Sequence, residues 1–324
     1  MPVLPFRRTC RGLLIGVIAT VCITSSAHGQ VDPEMYLERV NRLLLSRIAN
    51  LDYHPAYGLL IADEGTRTVW RIRTDGRVDS LCRRGQGPGE YEELTAVRWG
   101  PEGTIHIAGN SRIVTYTNEF EYLSWIRGII PWDLEVANER LLFVAARMGE
   151  DGPVVMIEPE EESRTAVTEW RDPEPITGKT RDTLVSKAFL DWDPDRELLF
   201  ICYQIDAGIE VVRGTEVIRR FTVPSETVER LIKEMREENR NLSGNIGGMI
   251  SIALFSFCLA DDGTLLVSVG SELVRVTSAG EVLGRAPWPE GYRQFYAGPA
   301  GYVFGIERDT MQLALFPLSD IFGH

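Results

Sequence analysis

The amino-acid sequence predicts an all-β fold, a six-bladed β-propeller of four-stranded antiparallel blades with one helical insertion. A turn followed by a run of alternating or continuous apolar residues occurs six times, in copies that begin between 37 and 66 residues apart. Each copy is followed, after a short polar interval, by a second strand-like run, and most copies by a third. Four short strands in every repeat are typical of propeller blades.

The six copies share a position in the repeat rather than a sequence. They are YGLLIAD from Tyr57, EGTIHIAG from Glu102, ERLLFVAA from Glu139, RELLFICY from Arg196, DGTLLVSVG from Asp262 and AGYVFGIE from Ala300. A β-sandwich would need fewer and less regular strands, and a doubly wound α/β fold would need helices between the strands. The copies are therefore interpreted as the second strand of each blade, counted outward from the central axis.

The first 29 residues have the pattern of a signal peptide, and residues 30–324 are predicted to form a single propeller domain. Three arginines precede the apolar stretch GLLIGVIATVCI, and Ala27 and Gly29 are the small residues of a cleavage site. This pattern predicts an exported protein, periplasmic or extracellular. No later segment approaches the roughly 18 apolar residues that a membrane span needs. Lipid attachment at Cys22 is disfavoured because Val21 replaces the usual small residue, and twin-arginine export is a further disfavoured alternative.

Charge and cysteine content disfavour several classes of partner and bond. The chain of 324 residues has a formal net charge of −13, and loss of the three signal-peptide arginines lowers it to −16. Such a charge disfavours binding to nucleic acid or to anionic membranes. Cys82, Cys202 and Cys258 lie far apart in apolar stretches, so they are predicted to be buried thiols with at most one disulfide among them.

Residues 32–49 carry two conflicting patterns. Asp32 and Pro33 form a helix start, and the apolar residues from Leu37 onward have helical spacing. The last blade, however, shows only three strand-like runs, and a propeller can close its ring with a strand from the other terminus. The stretch RLLLSRI could supply that strand. A short helix followed by an extended segment is the favoured prediction.

Residues 85–91 read GQGPGEY and raise the question of whether this loop cradles a phosphate. A phosphate loop opens a helix and usually supplies a lysine. This stretch instead joins two strand-like runs, and Glu90 with its acidic neighbours would repel an anion. The loop is therefore predicted to link the outer strand of one blade to the inner strand of the next, with Pro88 stiffening the crossing.

Residues 83–123 resemble the NHL-type repeats of bacterial exported six-bladed β-propellers. The resemblance is carried by Gly85, Gly87, Pro88, Gly89, Glu90, Tyr91, Gly103, Asn110, Arg112 and Ile113. It covers one blade and the linker before it. It implies the propeller fold and by itself implies no activity.

Two connections between blades are unusually long and are predicted to lie on the same face of the propeller. They span about residues 171–186 and 224–250. Insertions confined to one face of a repeat fold often mark the binding face. The second insertion contains a predicted amphipathic helix at about 225–241, with Ser225 as its N-cap. This helix is interpreted as a passive cap over apolar surface, with a mobile lid as the alternative.

The candidate ligand-binding residues are polar side chains near turns on that face. They are Asp63, Arg84, Glu90, Asn110, Arg112, Arg147, Asp206, Glu307 and Arg308. The arginines could hold an anionic group bidentately, against the alternative of ion pairs with neighbouring acids. Five carboxylates near the same turns could hold a calcium-like ion, although acids at turns are usually solvated. These five are Asp63, Asp206, Glu272, Glu307 and Asp309.

No catalytic residue, cofactor or metal site is assigned from the sequence. The chain lacks a Gly-x-Ser-x-Gly elbow and a Cys-x-x-Cys pair, and no two histidines have metal-site spacing. His106 alternates with two isoleucines in a predicted strand and is expected to pack there.

These features predict an extracytoplasmic β-propeller that binds a protein partner or small ligand on the face carrying the two insertions, without catalysis. The alternative is a metal-dependent hydrolase or lyase with carboxylate ligands at the central channel. A third interpretation is a structural module of a cell-envelope assembly.

Overall fold

The computed structural model describes residues 32–82, 85, 87, 90–138, 141–146, 152–161, 163–169, 171, 187–241 and 254–323. Residues 32–324 form one compact unit. The predicted signal peptide and parts of both insertions lie outside the described residues. None of the described helices is long and apolar enough to cross a membrane.

Six antiparallel sheets make up this unit, each built from strands that are consecutive in the chain. Blade 1 contains β1 (Ile48–His54), β2 (Gly58–Asp63), β3 (Thr68–Ile72) and β4 (Val78–Cys82). Blade 2 contains β5 (Ala96–Trp99), β6 (Ile105–Gly109), β7 (Arg112–Tyr116) and β8 (Tyr122–Arg127). Blade 3 contains β9 (Pro131–Asn138), β10 (Leu141–Ala146), β11 (Val154–Glu158) and β12 (Ser163–Ala166).

The second half of the chain continues the same arrangement. Blade 4 contains β13 (Ala188–Asp193), β14 (Leu198–Tyr203), β15 (Gly208–Arg213) and β16 (Glu216–Thr222). Blade 5 contains β17 (Leu254–Leu259), β18 (Leu265–Val269), β19 (Glu272–Val276) and β20 (Val282–Pro287). Blade 6 contains β21 (Tyr292–Ala297), β22 (Tyr302–Glu307) and β23 (Leu313–Pro317). The six-bladed propeller is confirmed, and the six apolar copies are the second strands of its blades.

The hydrophobic core lies between neighbouring blades. The second strands β2, β14 and β18 are buried along their whole length, whereas the outer strand β8 is largely exposed. Leu60 of blade 1 and Val97 and Ile107 of blade 2, for example, belong to one buried cluster. Because both faces of an inner strand are covered, its sequence is a nearly continuous apolar run.

The first strands of neighbouring blades contact one another around the ring, from β1 through β5, β9, β13 and β17 to β21, and β21 contacts β1. They surround a central channel. Successive strands run in opposite directions, so the turns between second and third strands lie on the same face as the links between blades. We call this the insertion face, because both long insertions leave from it. The turns between first and second strands lie on the opposite face.

Blade 6 departs from the predicted four strands, because its described sheet has three. The helix α1 (Pro33–Val40), capped by the Asp32 side chain, contacts β23 instead. Asn41, just after the helix, donates to the Leu313 carbonyl at 3.4 Å and accepts from its N–H at 3.2 Å. The short helix of the favoured prediction is confirmed, but the chain after it turns at residues 41–43 and becomes extended only in β1, from Ile48. No strand forms over residues 42–47 to complete blade 6. The side-chain amide of Asn41 instead makes part of the hydrogen bonds to β23 that such a strand would make.

The predicted amphipathic helix of the second insertion is confirmed as α2 (Glu226–Asn241). The Ser225 hydroxyl accepts from the Val228 N–H at 3.4 Å, as an N-cap should. Val228 packs into the cluster between blades 4 and 5, and Met235 packs against Ile205 of blade 4. The helix therefore covers apolar surface at this seam. A last short helix, α3 (Leu318–Phe322), follows β23 and was not predicted.

Two smaller predictions about buried polar groups are confirmed. Cys202 and Cys258 are buried free thiols, and the side chain of Cys82 lies outside the described part of the structure. His106 is buried in β6, and its ring nitrogens lie 3.1 Å from the Thr104 hydroxyl and 3.2 Å from the Thr115 hydroxyl. Burial lowers the pKa of His106 to about 4, so the imidazole is neutral at ordinary pH.

Candidate functional site

The central channel opens on the insertion face into a pocket of about 410 Å³. Its wall is formed by residues at the start of the first strands or just before them, because these strands all begin on this face. Five polar or aromatic members come from five different blades. They are Arg47 of blade 1, Thr95 of blade 2, Trp132 of blade 3, Lys187 of blade 4 and Arg293 of blade 6.

Arg293, in β21, is the basic residue of this pocket with the weakest internal partners. Its Nη2 donates to the Ile48 carbonyl at 3.4 Å and lies 3.3 Å from the Met311 sulfur, which is a poor acceptor. Its Nε is buried without a hydrogen-bond partner, and no carboxylate among the described residues forms an ion pair with it. This arrangement is unusual in a chain with 47 acidic and 34 basic residues.

The other two basic residues of the pocket are held in place by neighbours. The Lys187 ammonium lies 4.2 Å from the ring centroid of Trp132, a cation–π contact across blades 3 and 4. Arg47 pairs with Glu64 at 2.6 Å. Its backbone N–H donates to the Asp63 carboxylate at 2.8 Å. Three basic side chains are thereby gathered at one mouth of the channel.

The opposite mouth of the channel is larger and strongly acidic. This pocket has a volume of about 620 Å³ and aromatic walls that include Trp99 and Trp192. Seven carboxylates line it, with Arg196 as the basic residue among the described ones. The carboxylates are Asp52, Glu135, Asp191, Asp193, Asp195, Asp261 and Asp262. We call this pocket the acidic mouth.

Several of the channel carboxylates have a structural role between blades. The inner edge of each first strand has no neighbouring strand to bond, so its N–H groups need other acceptors. Side chains of one first strand accept from the backbone of the next. The pairs are Asp52 with the Trp99 N–H at 2.6 Å, Asp133 with the Leu190 N–H at 3.0 Å and Asp191 with the Leu259 N–H at 2.6 Å.

Arg98 is the cation at the centre of this wall. Its guanidinium donates to Asn50 at 2.5 Å, to Asp133 at 3.0 Å and to Glu135 at 2.5 Å. The side chains of Arg98, Asp133 and Glu135 are about nine-tenths buried. One guanidinium therefore serves carboxylates from blade 3 and an amide from blade 1, and it links three blades across the channel wall.

Burial raises the proton affinity of three carboxylates in the channel. Burial raises the pKa of Asp191 to about 7, and backbone donors and Arg98 oppose this shift. Burial also raises the pKa of Glu135 and of Asp52, against the attraction of Arg98. These side chains touch the solvent of the channel but are enclosed by protein on their other sides. The acidic mouth therefore contains three carboxylates of raised proton affinity, of which Asp191 has a pKa of about 7.

The geometry does not assemble a metal centre within the described part of the chain. No group of three or more histidine, cysteine, aspartate or glutamate side chains there is arranged to hold an ion. The five carboxylates considered for a calcium-like ion belong to four different blades, and several are engaged locally. Glu272, for example, pairs with Arg285 at 3.3 Å.

Three of the sequence-predicted binding residues organise the GQGPGEY loop. The Glu90 carboxylate accepts from the Gly87 N–H at 2.9 Å. Arg112 donates to the Gly87 carbonyl at 2.8 Å, and Asn110 donates to the Gly85 carbonyl at 3.3 Å. A Cβ at Gly85, where φ is 150°, would overlap the Glu90 carboxylate. The loop joins β4 to β5, as the linker interpretation requires.

The remaining predicted residues lie at separate places on the insertion face. Asp63 is fully buried and holds the turn after β2, where it accepts from the Thr66 hydroxyl at 2.7 Å. Asp206 pairs with Arg171 at the start of the first insertion. Glu307 is the last residue of β22, and Arg308 follows it in the turn, where its side chain is exposed. Arg84 and Arg147 lie outside the described residues.

Sequence reasoning did not select Arg47, Lys187 or Arg293. Each stands just before a first strand or near its start, and such positions point toward the channel mouth on the insertion face. That rule would have found them. To apply that rule, the strand boundaries must be known. They are hard to locate in the sequence where a basic residue interrupts an apolar run.

No family model matches the chain, and no curated protein matches it. Solved structures of propellers do match. A catalytically inactive variant of virginiamycin B lyase from Staphylococcus aureus is 12% identical, with a TM-score of 0.54 over 86% of each chain. A gluconolactonase from Xanthomonas campestris is 14% identical, with a TM-score of 0.53 over 84% of this chain and 86% of that one. A chain of the mitotic checkpoint complex is 12% identical, with a TM-score of 0.51 over 98% of this chain and 85% of that one.

At these identities the similarity shows the fold alone. The three proteins include two enzymes and a member of a protein assembly, so the shared fold does not select a function.

Proposed function

We propose that this protein is an extracytoplasmic binding protein that takes its ligand at the channel mouth on the insertion face and catalyses no reaction. Export rests on the signal-peptide pattern of residues 1–29. The position of the site rests on the two insertions and on the pocket between the first strands.

One observation carries the proposal. Arg293 lies in the wall of the mouth without a carboxylate partner among the described residues, in a chain that has many more acids than bases. A partly enclosed guanidinium loses hydration, and it regains that free energy only through hydrogen bonds to an acceptor. The acceptors that it has, a long bond to Ile48 and the Met311 sulfur, leave this need largely unmet.

Affinity capture from the native envelope fraction tests the proposal. The mature protein, its Arg293→Gln variant and its Arg308→Gln variant are immobilised, and retained proteins and small molecules are identified by mass spectrometry. Arg308 is a matched control, because it is an exposed arginine on the same face outside the pocket. We expect a species retained by the wild type and by Arg308→Gln and lost from Arg293→Gln. Repeated recovery of the bare protein, or equal retention by all three, would overturn the proposal.

A hydrolase or lyase acting at the acidic mouth is the second candidate function. It is favoured by the carboxylates of Asp52, Glu135 and Asp191, which line one pocket and whose pKa values are raised by burial, that of Asp191 to about 7. A metal-dependent form should raise the melting temperature with calcium, magnesium, manganese or zinc. A melting temperature that is unchanged by all four ions would exclude the metal-dependent form. Unchanged turnover by Asp191→Asn would exclude an acid–base role for Asp191.

A further inference from the structure

The size of the pocket on the insertion face distinguishes a small-molecule ligand from a protein partner. Small-molecule sites have volumes of roughly 300–1,000 Å³ and enclose most of their ligand. Stable protein partners instead bury about 800 Å² on each side, over a broad surface. The mouth, at about 410 Å³, belongs to the first class. Its size favours a compact small molecule over a protein segment.

The charges around the pocket indicate the charge of that molecule. Arg47, Lys187 and Arg293 line it together with Glu64 and Glu93. Three cations and two carboxylates leave a formal charge of +1, which one negative charge on the ligand would balance. A doubly charged phosphate would exceed this balance and would meet two carboxylates in the same wall. The pocket therefore favours a monoanion.

The unused hydrogen-bonding groups indicate where the anion lies. Nη1 of Arg293 makes no hydrogen bond to a described residue and is open to solvent, whereas Nε is buried. A carboxylate has two acceptor oxygens in one plane, which suits the planar guanidinium of Arg293.

The rest of the wall is suited to a flat apolar body. Trp132 and Phe189 both line the pocket, and Lys187 holds one face of the Trp132 ring. Aromatic walls of this kind stabilise planar groups through stacking and burial. One small pocket thus offers an arginine for the anionic group of a ligand and aromatic side chains for its flat apolar body.

From this combination we infer that the mouth binds a small organic monocarboxylate with a flat apolar body, its carboxylate on Arg293. The inference rests on the binding function proposed above and specifies the ligand class for the same site.

Fragment titration of the mature protein tests this ligand class. Benzoate is compared with benzamide, which has the same shape without charge, with phenyl phosphate, which has more charge, and with acetate, which lacks the flat body. Binding is followed by ligand-observed NMR and by calorimetry at pH 7 and fixed ionic strength. The proteins are the wild type, Arg293→Gln, Arg293→Lys and the control Arg308→Gln, with folding verified by thermal melting.

We expect benzoate to bind with a Kd of about 1 mM, which is ordinary for a fragment of its size. Arg293→Gln should weaken it about tenfold, because a charged hydrogen-bond donor is lost. Arg293→Lys should give an intermediate loss, because it keeps the charge but not the planar fork. Arg308→Gln should leave the Kd unchanged, and the other three fragments should bind more weakly than benzoate.

Tighter binding of phenyl phosphate than of benzoate would overturn the monocarboxylate assignment, as would equal binding of benzamide or acetate. Benzoate binding that is unaffected by Arg293→Gln would place the fragment elsewhere and would also overturn it. If benzoate fails to bind while affinity capture still recovers a species that depends on Arg293, the ligand class is wrong and the binding function stands. Failure of both experiments removes both proposals.

Discussion

Replacing Arg98 by methionine removes the cation that links three blades at the channel wall. Methionine has a similar length and fits an apolar environment, so the change removes charge and hydrogen bonds rather than volume. In the wild type the guanidinium serves Asn50, Asp133 and Glu135. After the replacement, the two carboxylates remain buried without their cation.

Removal of one partner from a buried ionic network costs about 3–5 kcal/mol. The folded unit spans residues 32–324. At about 2.1 cal/mol/K per residue, unfolding such a unit has an entropy of about 0.6 kcal/mol/K. The melting temperature of Arg98→Met should therefore fall by about 5–8 °C relative to the wild type at pH 8.

The loss should depend on pH. Without Arg98 the pKa of Glu135 in the folded protein rises further, because this carboxylate loses an attractive charge. The folded variant then holds protons that the unfolded chain releases above about pH 4, so its stability falls as the pH rises. Thermal melting at pH 5 and pH 8 should show a smaller difference between variant and wild type at pH 5.

Two controls accompany this measurement. Arg308→Met changes an exposed arginine in the same way and should leave the melting temperature unchanged. Adding Glu135→Gln to Arg98→Met should recover part of the loss, because it removes one of the uncompensated carboxylates. A melting temperature for Arg98→Met within about 1 °C of the wild type at pH 8, or an equal loss at both pH values, would show that Arg98 does not stabilise the channel wall by compensating its carboxylates.

Three further predictions concern stability. Burial raises the pKa of Asp191 to about 7, so the folded protein holds a proton that the unfolded chain loses above about pH 4. The stability of the wild type should therefore fall from pH 4 to pH 7. In Asp191→Asn the melting temperature should decline less over this range. An equally steep decline in the variant would contradict this. Asn41→Ala should lower the unfolding free energy by about 1–3 kcal/mol in chemical denaturation, because it removes both hydrogen bonds to Leu313; an unchanged midpoint would show that Asn41 does not secure blade 6. Met235→Ala should cost about 2–4 kcal/mol since the side chain is 1% exposed, whereas the exposed Glu238→Ala should cost nothing measurable.

Much of the architecture could be predicted because its signals are local. A second strand is covered by neighbours on both faces, so its apolar run appears in the sequence whatever those neighbours are. The helix α2 was predicted from its N-cap and apolar stripe in the same way. Blade 6 was harder, because the contribution of Asn41 to its outer strand depends on a contact between the two ends of the chain.

The candidate site was less predictable. Turn residues such as Asp63 and Asn110 were predicted to bind ligand because they are polar groups near the insertion face. Their contacts instead hold turns and linkers in place. Arg293 is one basic residue among many in the sequence, and nothing nearby in the chain distinguishes it. Its significance comes from the absence of a described carboxylate partner, which requires the positions of all the surrounding strands.

Local sequence patterns specify the number of blades, the face that carries the insertions and the presence of α2, because hydrophobic periodicity and turn composition act over a few residues. The set of side chains that share the channel depends instead on the folded ring. Closure of the ring brings Arg47, Lys187 and Arg293 to one mouth and gathers the carboxylates around Arg98 and at the other. Electrostatic interactions depend on distance through space, and in a closed ring that distance is independent of separation along the chain.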